Sequence, residues 1–581
     1  MKTLMLGNEA VARALYEAGV TVVSSYPGTP STEITEAATQ YDEVYSEWAP
    51  NEKVAFEVAF GAATGGARSF CAMKHVGLNV AADPLYTASY IGVNGGMVCA
   101  VADDPGMHSS QNEQDSRHHA IASKIPMLEP SDSAECLSYT KLAYQLSEQF
   151  DTPFLLRLST RISHGRSLVD LSPREEHPIK DYKKDVMKNV MMPAMARVRH
   201  QVVEKRTKAL QEWCETSGIN SVEYNDTRVG IICAGSTYQC AREALGERAS
   251  YFKLGMVNPL PVKSLLDFAR HVGQVYVIEE LDDIIETHCR KHGIPVIGKL
   301  LLPVCGEFSQ SVVREAILGE ELPHIALDQA IPPRPPVLCV GCPHRGLFTA
   351  LKKLNLYVSG DIGCYTLGAQ APLSMIDTCV CMGASVSGLH GFNLARGSQQ
   401  AKNSVAVIGD STFIHSGITG LIDIAYNKGF STVIVLDNSI TGMTGHQNNP
   451  TNGLTIKGDP TVAVNLEALA HAIGINRVVV VDPFDMESTR KAVEAELAIE
   501  EPSLVIARRP CALLKTVKHN PPMVVDTEKC TGCKSCLKAG CPSIKVHGEA
   551  NKGRGTAEID QNQCVGCEIC AKLCSFDAIN F

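Results

Sequence analysis

Short apolar runs alternate with amphipathic segments along most of this chain, and the clearest case is the stretch VAVIGDSTFIHSGITGLIDIAYNKGFSTVIVLDNSITGMTGHQ. Its apolar run over 405–408, amphipathic segment over 418–427 and second apolar run over 433–436 predict one βαβ unit. The same rhythm predicts a helix over 8–18 followed by a strand over 20–24, and later strands over 229–233 and 275–278. A helical run over 195–213, rich in Arg, Lys and Gln, interrupts it. Asn258-Pro259-Leu260-Pro261 marks a turn, and Ile331-Pro332-Pro333-Arg334-Pro335-Pro336 reads as an extended linker. These changes of pattern divide the chain into segments 1–165, 166–227, 228–330, 331–518 and 519–581, with α/β alternation in the first, third and fourth.

The central βαβ unit carries chemistry at its strand ends. Asp410 follows the first strand and Asp437-Asn438 the second, and in a parallel sheet both ends open into one crevice, where such sheets bind ligands. An Asp carboxylate, an Asn side-chain carbonyl and a loop carbonyl suit Mg²⁺, leaving positions for diphosphate oxygens and water. Gly409 allows close backbone approach. The alternative is an ordinary βα-loop Asp followed by an Asn-rich turn.

At 581 residues the chain has material for about three to five domains. A formal net charge of −10 without a compensating run of Lys or Arg argues against a nucleic-acid surface. No uninterrupted apolar stretch reaches the ~18 residues of a membrane span, and the N-terminus lacks an extended apolar signal region, so a cytoplasmic protein is expected. Twenty-two cysteines, eight of them in the last 52 positions, then point to metal or cluster ligation in a reducing compartment.

In the tail, Cys530-x₂-Cys533-x₂-Cys536-x₄-Cys541-Pro542 is repeated as Cys564-x₂-Cys567-x₂-Cys570-x₃-Cys574. This resembles two-cluster bacterial ferredoxins, in which the fourth Cys of each run crosses to the other cluster. The resemblance implies one [4Fe-4S] cluster on Cys530, Cys533, Cys536 and Cys574, and another on Cys564, Cys567, Cys570 and Cys541. One extra residue before Cys541 departs from the pattern. Zinc, the alternative, seldom uses such a crossed eight-Cys arrangement. A further C-x-x-C, Cys339-Val340-Gly341-Cys342, is by itself compatible with redox, metal or no chemistry.

The G-D-S to D-N-S spacing, with D-N-S-I-T-G-M-T-G-H-Q after it, resembles the magnesium-diphosphate motif of the thiamine diphosphate-dependent 2-oxoacid:ferredoxin oxidoreductases. The resemblance implies Asp410, Asn438 and the Ile440 backbone as Mg²⁺ ligands beside Gly409 and Ser411, the last standing where many thiamine enzymes have Gly. Tyr26-Pro27-Gly28-Thr29-Pro30-Ser31, with Glu52 nine positions before Gly61-Ala62, resembles the family's pyrimidine-binding domain. It implies Glu52 as the carboxylate that drives thiamine to its imino tautomer; Thr29 or a nearby His is expected to hydrogen-bond the developing alkoxide, and His75 or His108, in loops expected near the cofactor, to move protons. Glu57 is the competing acid, and Glu52 could instead be a helix-start acid favoured by the dipole. Arg117, in a long polar loop, is a candidate clamp for a 2-oxoacid carboxylate, although such a residue is more often solvated. Cys339, Cys342, Asp361-Ile362-Gly363-Cys364 and Arg509-Pro510-Cys511 resemble the ligands of a third [4Fe-4S] cluster near thiamine, whereas scattered buried thiols are the alternative. Cys381-Met382-Gly383 is expected beside the cofactor.

The implied fold is α/β, with two doubly wound thiamine diphosphate-binding domains, a transketolase-C-like α/β domain and a C-terminal α+β two-[4Fe-4S] ferredoxin domain. Within the family the order of parts looks like the α subunit of indolepyruvate:ferredoxin oxidoreductases. That implies oxidative decarboxylation of an arylpyruvate through a thiamine enamine, coenzyme A as acyl acceptor, ferredoxin as electron acceptor, and a smaller β subunit in an α2β2 assembly. A non-oxidative thiamine decarboxylase would not need the tail cysteines. A pure electron carrier would not need Glu52, Asp410 and Asn438.

Overall fold

The computed structural model describes residues 2–323, 329–332, 334–548 and 554–581. Pro333 of the expected linker and the end of the third segment, 324–328, lie outside the described residues. The chain divides into two compact units, one ending at residue 328 and the other beginning at Gln329.

In the first unit a seven-stranded sheet runs in the order Met256–Asn258, Met127–Leu128, Phe154–Ser159, Met97–Asp103, Ser69–Lys74, Val22–Ser25 and Tyr45–Trp48. Its strands are parallel except for Met256–Asn258, which pairs antiparallel to Met127–Leu128. Both faces are covered, so the strands are apolar throughout: Phe70 and Ala72 enter one core, Cys71 and Met73 the other. Helices Gly7–Glu17 and Ser133–Phe150 cover the first face, and Glu52–Thr64 and Ala82–Ile91 the second. A four-stranded sheet, Gln274–Ile278, Val229–Ala234, Ser250–Leu254 and Ser221–Glu223, shares the second core through Ile232, Phe252 and Val277.

Two features depart from the sequence reading. Strand Lys2–Leu6 precedes the first helix and pairs antiparallel with Arg166–Asp170, so the charged connector begins as part of the first unit. Helix Pro193–Thr216, read only as an interruption of the α/β rhythm, is tied into the first unit, where Arg206 is buried and donates to the Asp151 and Ser89 carbonyls at 2.8 Å each.

The second unit holds a parallel six-stranded sheet ordered Thr378–Cys379, Tyr357–Gly360, Ser404–Gly409, Thr432–Asp437, Ser503–Arg508 and Arg477–Val481. Alternation again splits each strand between two cores: Val405 and Val407 face one, Ala406 and Ile408 the other. The strand after Asn403 ends at Gly409, and Asp410–Thr412 leads through a π turn, Phe413–Gly417, into helix Ile418–Tyr426. The tail folds as two short antiparallel pairs, Val524–Val525 with Ile579–Asn580 and Ile544–His547 with Thr556–Ile559. Among the described residues no helix is long and apolar enough to cross a membrane.

Candidate functional site

In the second unit, strands Ser404–Gly409 and Thr432–Asp437 pair in parallel with Gly409 opposite Leu436, so Asp410 and Asn438 emerge side by side. Asp410 is buried; Thr451 Oγ1 donates to its Oδ2 at 2.8 Å and Asn449 Nδ2 at 3.3 Å. Burial, reinforced by the Asp437 carboxylate, pushes the Asp410 carboxyl up to about 7. Asp437 itself receives Arg508 Nε at 2.7 Å, and among the described residues no cation pairs with Asp410. The Asn438 amide end stands 2.8 Å from the Ile440 carbonyl oxygen and 3.1 Å from Asp410 Oδ1. With its oxygen turned inward, the Asn438 oxygen stands from each of the other two near the separation of an octahedral Mg²⁺ edge, about 2.9 Å for Mg–O bonds of about 2.0–2.1 Å. With its nitrogen turned inward, the amide would instead bridge the two acceptors.

The loop around this group is held from several sides. Thr441 Oγ1 donates to Ser411 Oγ at 2.9 Å, and Thr441 and Gln447 exchange backbone hydrogen bonds of 2.9 and 3.1 Å. A Cβ on Gly409 would meet the Tyr365 ring at 2.8 Å, so packing against that ring also calls for glycine here. Buried Asp361 accepts from the Gly383 and Ser385 amides at 2.9 Å each, fixing the start of helix Ala384–Arg396. Gly383 has φ +88° and a Cβ there would lie 2.6 Å from Ser416 Cβ, whereas Cys379 and Cys381 are exposed.

Four cysteines gather beside the same loop. The Cys511 amide donates to the Asn438 carbonyl at 3.0 Å, the Cys342 amide to the Cys339 carbonyl at 3.2 Å, and a Cβ on Gly442 would lie 3.4 Å from Cys364 Sγ. Burial pushes the Cys364 thiol up to about 11, with Cys339 and Cys511 adding to it. Burial likewise takes Cys342 to about 12, with Cys364 and Cys339 contributing. In the tail, Cys536 is raised by burial and then by Cys530, Cys533 and Cys574. Cys570 is pushed to about 12 by burial and then by Cys567, Cys541 and Cys564. Each set of four named from the sequence is therefore a set of electrostatic neighbours. Among the described residues no three His, Cys, Asp or Glu side chains form a compact single-ion site.

In the first unit, Glu52 opens helix Glu52–Thr64, capped by Asn51, whose side chain accepts from the Val54 amide at 2.9 Å. Its side chain is 5% exposed and packs on Gly77, where a Cβ would stand 2.6 Å from Glu52 Oε1. Glu57, the competing acid, is surface-exposed and paired with Lys53. Thr29 lies in a loop held by Asn8 Nδ2, which donates to the Pro30 carbonyl at 2.7 Å; the Thr29 carbonyl is 3.4 Å from Ser109 Oγ. His75 is buried and lowered by burial; neither ring nitrogen has a partner at hydrogen-bond geometry, although the Ala102 backbone is near. His108 is exposed and 3.1 Å from Glu307.

Arg117 corrects the sequence reading. It is 1% exposed and engages Asp115 with two nitrogens, Glu279 at 2.6 Å, and the carbonyls of Glu280 and Asp282. With its donors committed to two buried carboxylates, it is a structural tie and not a substrate clamp. The cation that the sequence reading passed over is Lys74, at the end of strand Ser69–Lys74. Its ammonium donates to the Ser109 carbonyl at 2.6 Å, burial brings it down to about 8, and Gly28 leaves room for it, a Cβ there falling 3.2 Å from Lys74 Cβ. Nothing in the sequence separates Lys74 from a solvated lysine except its place at a buried strand's carboxyl end.

Comparison with known proteins fits these arrangements. Residues 13–216 match the family model for the pyruvate flavodoxin/ferredoxin oxidoreductase thiamine diphosphate-binding domain, residues 361–507 the thiamine pyrophosphate enzyme C-terminal TPP-binding domain, and residues 522–575 the 4Fe-4S dicluster domain. The indolepyruvate oxidoreductase subunit IorA of Archaeoglobus fulgidus is 39% identical, over 100% of this chain and 97% of its own length. That of Thermococcus kodakarensis is 40% identical over 99% and 96%. A solved 2-oxoglutarate:ferredoxin oxidoreductase from Magnetococcus marinus is similar at 18% identity and a TM-score of 0.45, covering 55% of this chain and 65% of its own. The chain belongs to the indolepyruvate oxidoreductase subunit IorA family, thiamine diphosphate-dependent iron–sulfur enzymes of the 2-oxoacid:ferredoxin oxidoreductase type.

Proposed function

We propose that this chain is the catalytic subunit of a coenzyme A-acylating oxidoreductase that oxidatively decarboxylates arylpyruvates, indolepyruvate among them, and passes the electrons to ferredoxin. The observation that carries the chemistry is the convergence of Asp410, Asn438 and Ile440 oxygens beside the Cys339, Cys342, Cys364 and Cys511 group. The aromatic substrate rests on the names of relatives that align along the full chain.

Asp410, Asn438 and the Ile440 carbonyl would hold Mg²⁺, whose charge answers the uncompensated buried carboxylate of Asp410. Thiamine diphosphate, when bound, supplies the carbanion that attacks the keto carbon and stabilises the charge left after CO₂ departs. Glu52 would hydrogen-bond the aminopyrimidine ring, and its confinement by Gly77 holds the carboxylate in one place. Lys74, buried and answered by a backbone carbonyl, would attract the 2-oxoacid carboxylate, while Thr29 and His75, the latter's pKa lowered by burial, would orient polar groups. The Cys530, Cys533, Cys536, Cys574 set and the Cys541, Cys564, Cys567, Cys570 set would each hold a [4Fe-4S] cube, and Cys339, Cys342, Cys364 and Cys511 a third. A smaller β subunit completes an α2β2 enzyme in the cytoplasm, where the thiols stay reduced.

Glu52→Gln tests the assignment in the anaerobically purified complex. Loss of 2-oxoacid-dependent acceptor reduction with iron and thiamine diphosphate retained is the expected result. Unchanged reduction would sink it.

A further inference from the structure

Arg345, the third residue of helix Pro343–Leu351, is 2% exposed. Its Nη2 donates to the Leu338 carbonyl at 2.5 Å and the Cys339 carbonyl at 3.0 Å, and its Nη1 to the Ala539 carbonyl at 2.7 Å. Its Nε has no partner, and among the described residues no carboxylate lies within ion-pair distance. A guanidinium buried in this way keeps its charge, so its stability depends on negative charge nearby that the carbonyls alone do not supply.

The two loops it joins are both cysteine loops. Leu338 and Cys339 lead into Cys339-Val340-Gly341-Cys342, and Ala539 ends the turn Ser535–Ala539 just before Cys541. Gly540 has φ +64°, and a Cβ there would lie 3.3 Å from Arg345 Nη1 and 2.9 Å from Pro372 Cδ. The loops also touch directly: a Cβ on Gly341 would stand 2.4 Å from Val565 Cγ2, in the Cys564–Cys567 loop.

We propose that Arg345 is a positioning residue for electron transfer: it pins the Cys339–Cys342 loop against the loop of Cys541 and favours the reduced state of a cluster on each side. Reduction adds one electron and one negative charge to a cluster whose four thiolates already make it anionic, with no proton taken up and no bond made, and a fixed cation stabilises the more negative state. This rests on the reading that Cys339, Cys342, Cys364 and Cys511 hold a cluster.

The test is an anaerobic redox titration, monitored by electron paramagnetic resonance, of the complex carrying wild-type, Arg345→Gln or Arg345→Lys chains, with iron counted first. Wild type should carry about twelve irons per chain; about eight would remove the third cluster and the proposal with it. At a fixed potential, Arg345→Gln should lower the reduced-to-oxidised ratio of the two flanking clusters about tenfold, the scale of one charge about 10 Å away at an effective dielectric of about 20. The cluster of Cys530, Cys533, Cys536 and Cys574 should move less, and Arg345→Lys should keep most of the wild-type ratio. Twelve irons with unshifted ratios in Arg345→Gln, or Arg345→Lys shifting as far as Arg345→Gln, would overturn the proposal.

Discussion

Replacing Gly77 by Ala perturbs the proposed catalytic carboxylate without touching it chemically. A Cβ at 77 would stand 2.6 Å from Glu52 Oε1, 2.7 Å from its Cγ and 2.9 Å from its Cδ, against an ordinary contact of 3.4 Å or more. The buried Glu52 side chain must therefore shift by about 0.8 Å. Overpacking of this kind costs ~1–3 kcal/mol, of which up to ~1 kcal/mol is returned because Ala outranks Gly in helix His75–Val80. Folding should thus be weakened by no more than ~3 kcal/mol. Catalysis should suffer more, because a misplacement near 1 Å costs about 100-fold. Gly61→Ala, in the same helix as Glu52 but with nothing within 4 Å of its Cβ, is the control and should leave activity unchanged. The assay is kcat for 2-oxoacid-dependent viologen reduction, together with deuterium exchange at C2 of bound thiamine diphosphate and a melting curve. Wild-type kcat and exchange in Gly77→Ala would refute the placement of Glu52 at the cofactor.

Four further outcomes are expected. Asp410, protonated below about 7 without metal, must release that proton to Mg²⁺, so calorimetric affinity for Mg²⁺ with thiamine diphosphate should fall about tenfold per pH unit below about 7 and level off above it. Because the folded carboxyl then binds a proton that the unfolded chain has already lost, metal-free stability should decline as pH rises from about 4 to about 7, and Asp410→Asn should remove that slope. KM for the 2-oxoacid should rise as pH passes about 8 and Lys74 loses its charge; Lys74→Met should raise KM about 10–100-fold and abolish that dependence. Arg117→Met should cost ~3–5 kcal/mol of stability in denaturant unfolding, by stranding Asp115 and Glu279, while KM of the folded fraction stays near wild type.

The parts of the site that follow from local sequence were legible there. Asp410 and Asn438 come together because parallel strands end on one side of a sheet, which the apolar periodicity of 405–436 already implies. The grouping of the tail cysteines was legible through their spacing. What the sequence left hidden depends on distant partners. Arg117 looks like a free loop arginine until Glu279, far along the chain, is brought against it. The contact of Gly409 with Tyr365, brought by the D-I-G-C-Y turn, is likewise not written in the local sequence. Met256–Asn258 extends the first sheet from within the third segment, because Asn258 Nδ2 is tied to the Ala120 and Ile125 carbonyls at 3.0 and 2.7 Å. Arg345 escaped notice because burial without an ion-pairing carboxylate among the described residues is what distinguishes it, and burial of one side chain is not written in its neighbours.

The most direct test of the proposed function is anaerobic viologen or ferredoxin reduction by the complete complex with a panel of 2-oxoacids, with and without coenzyme A. Coenzyme A-dependent reduction by indolepyruvate and other arylpyruvates, well above that by pyruvate or 2-oxoglutarate, is the predicted result. Release of aldehyde and CO₂ without acceptor reduction would contradict it.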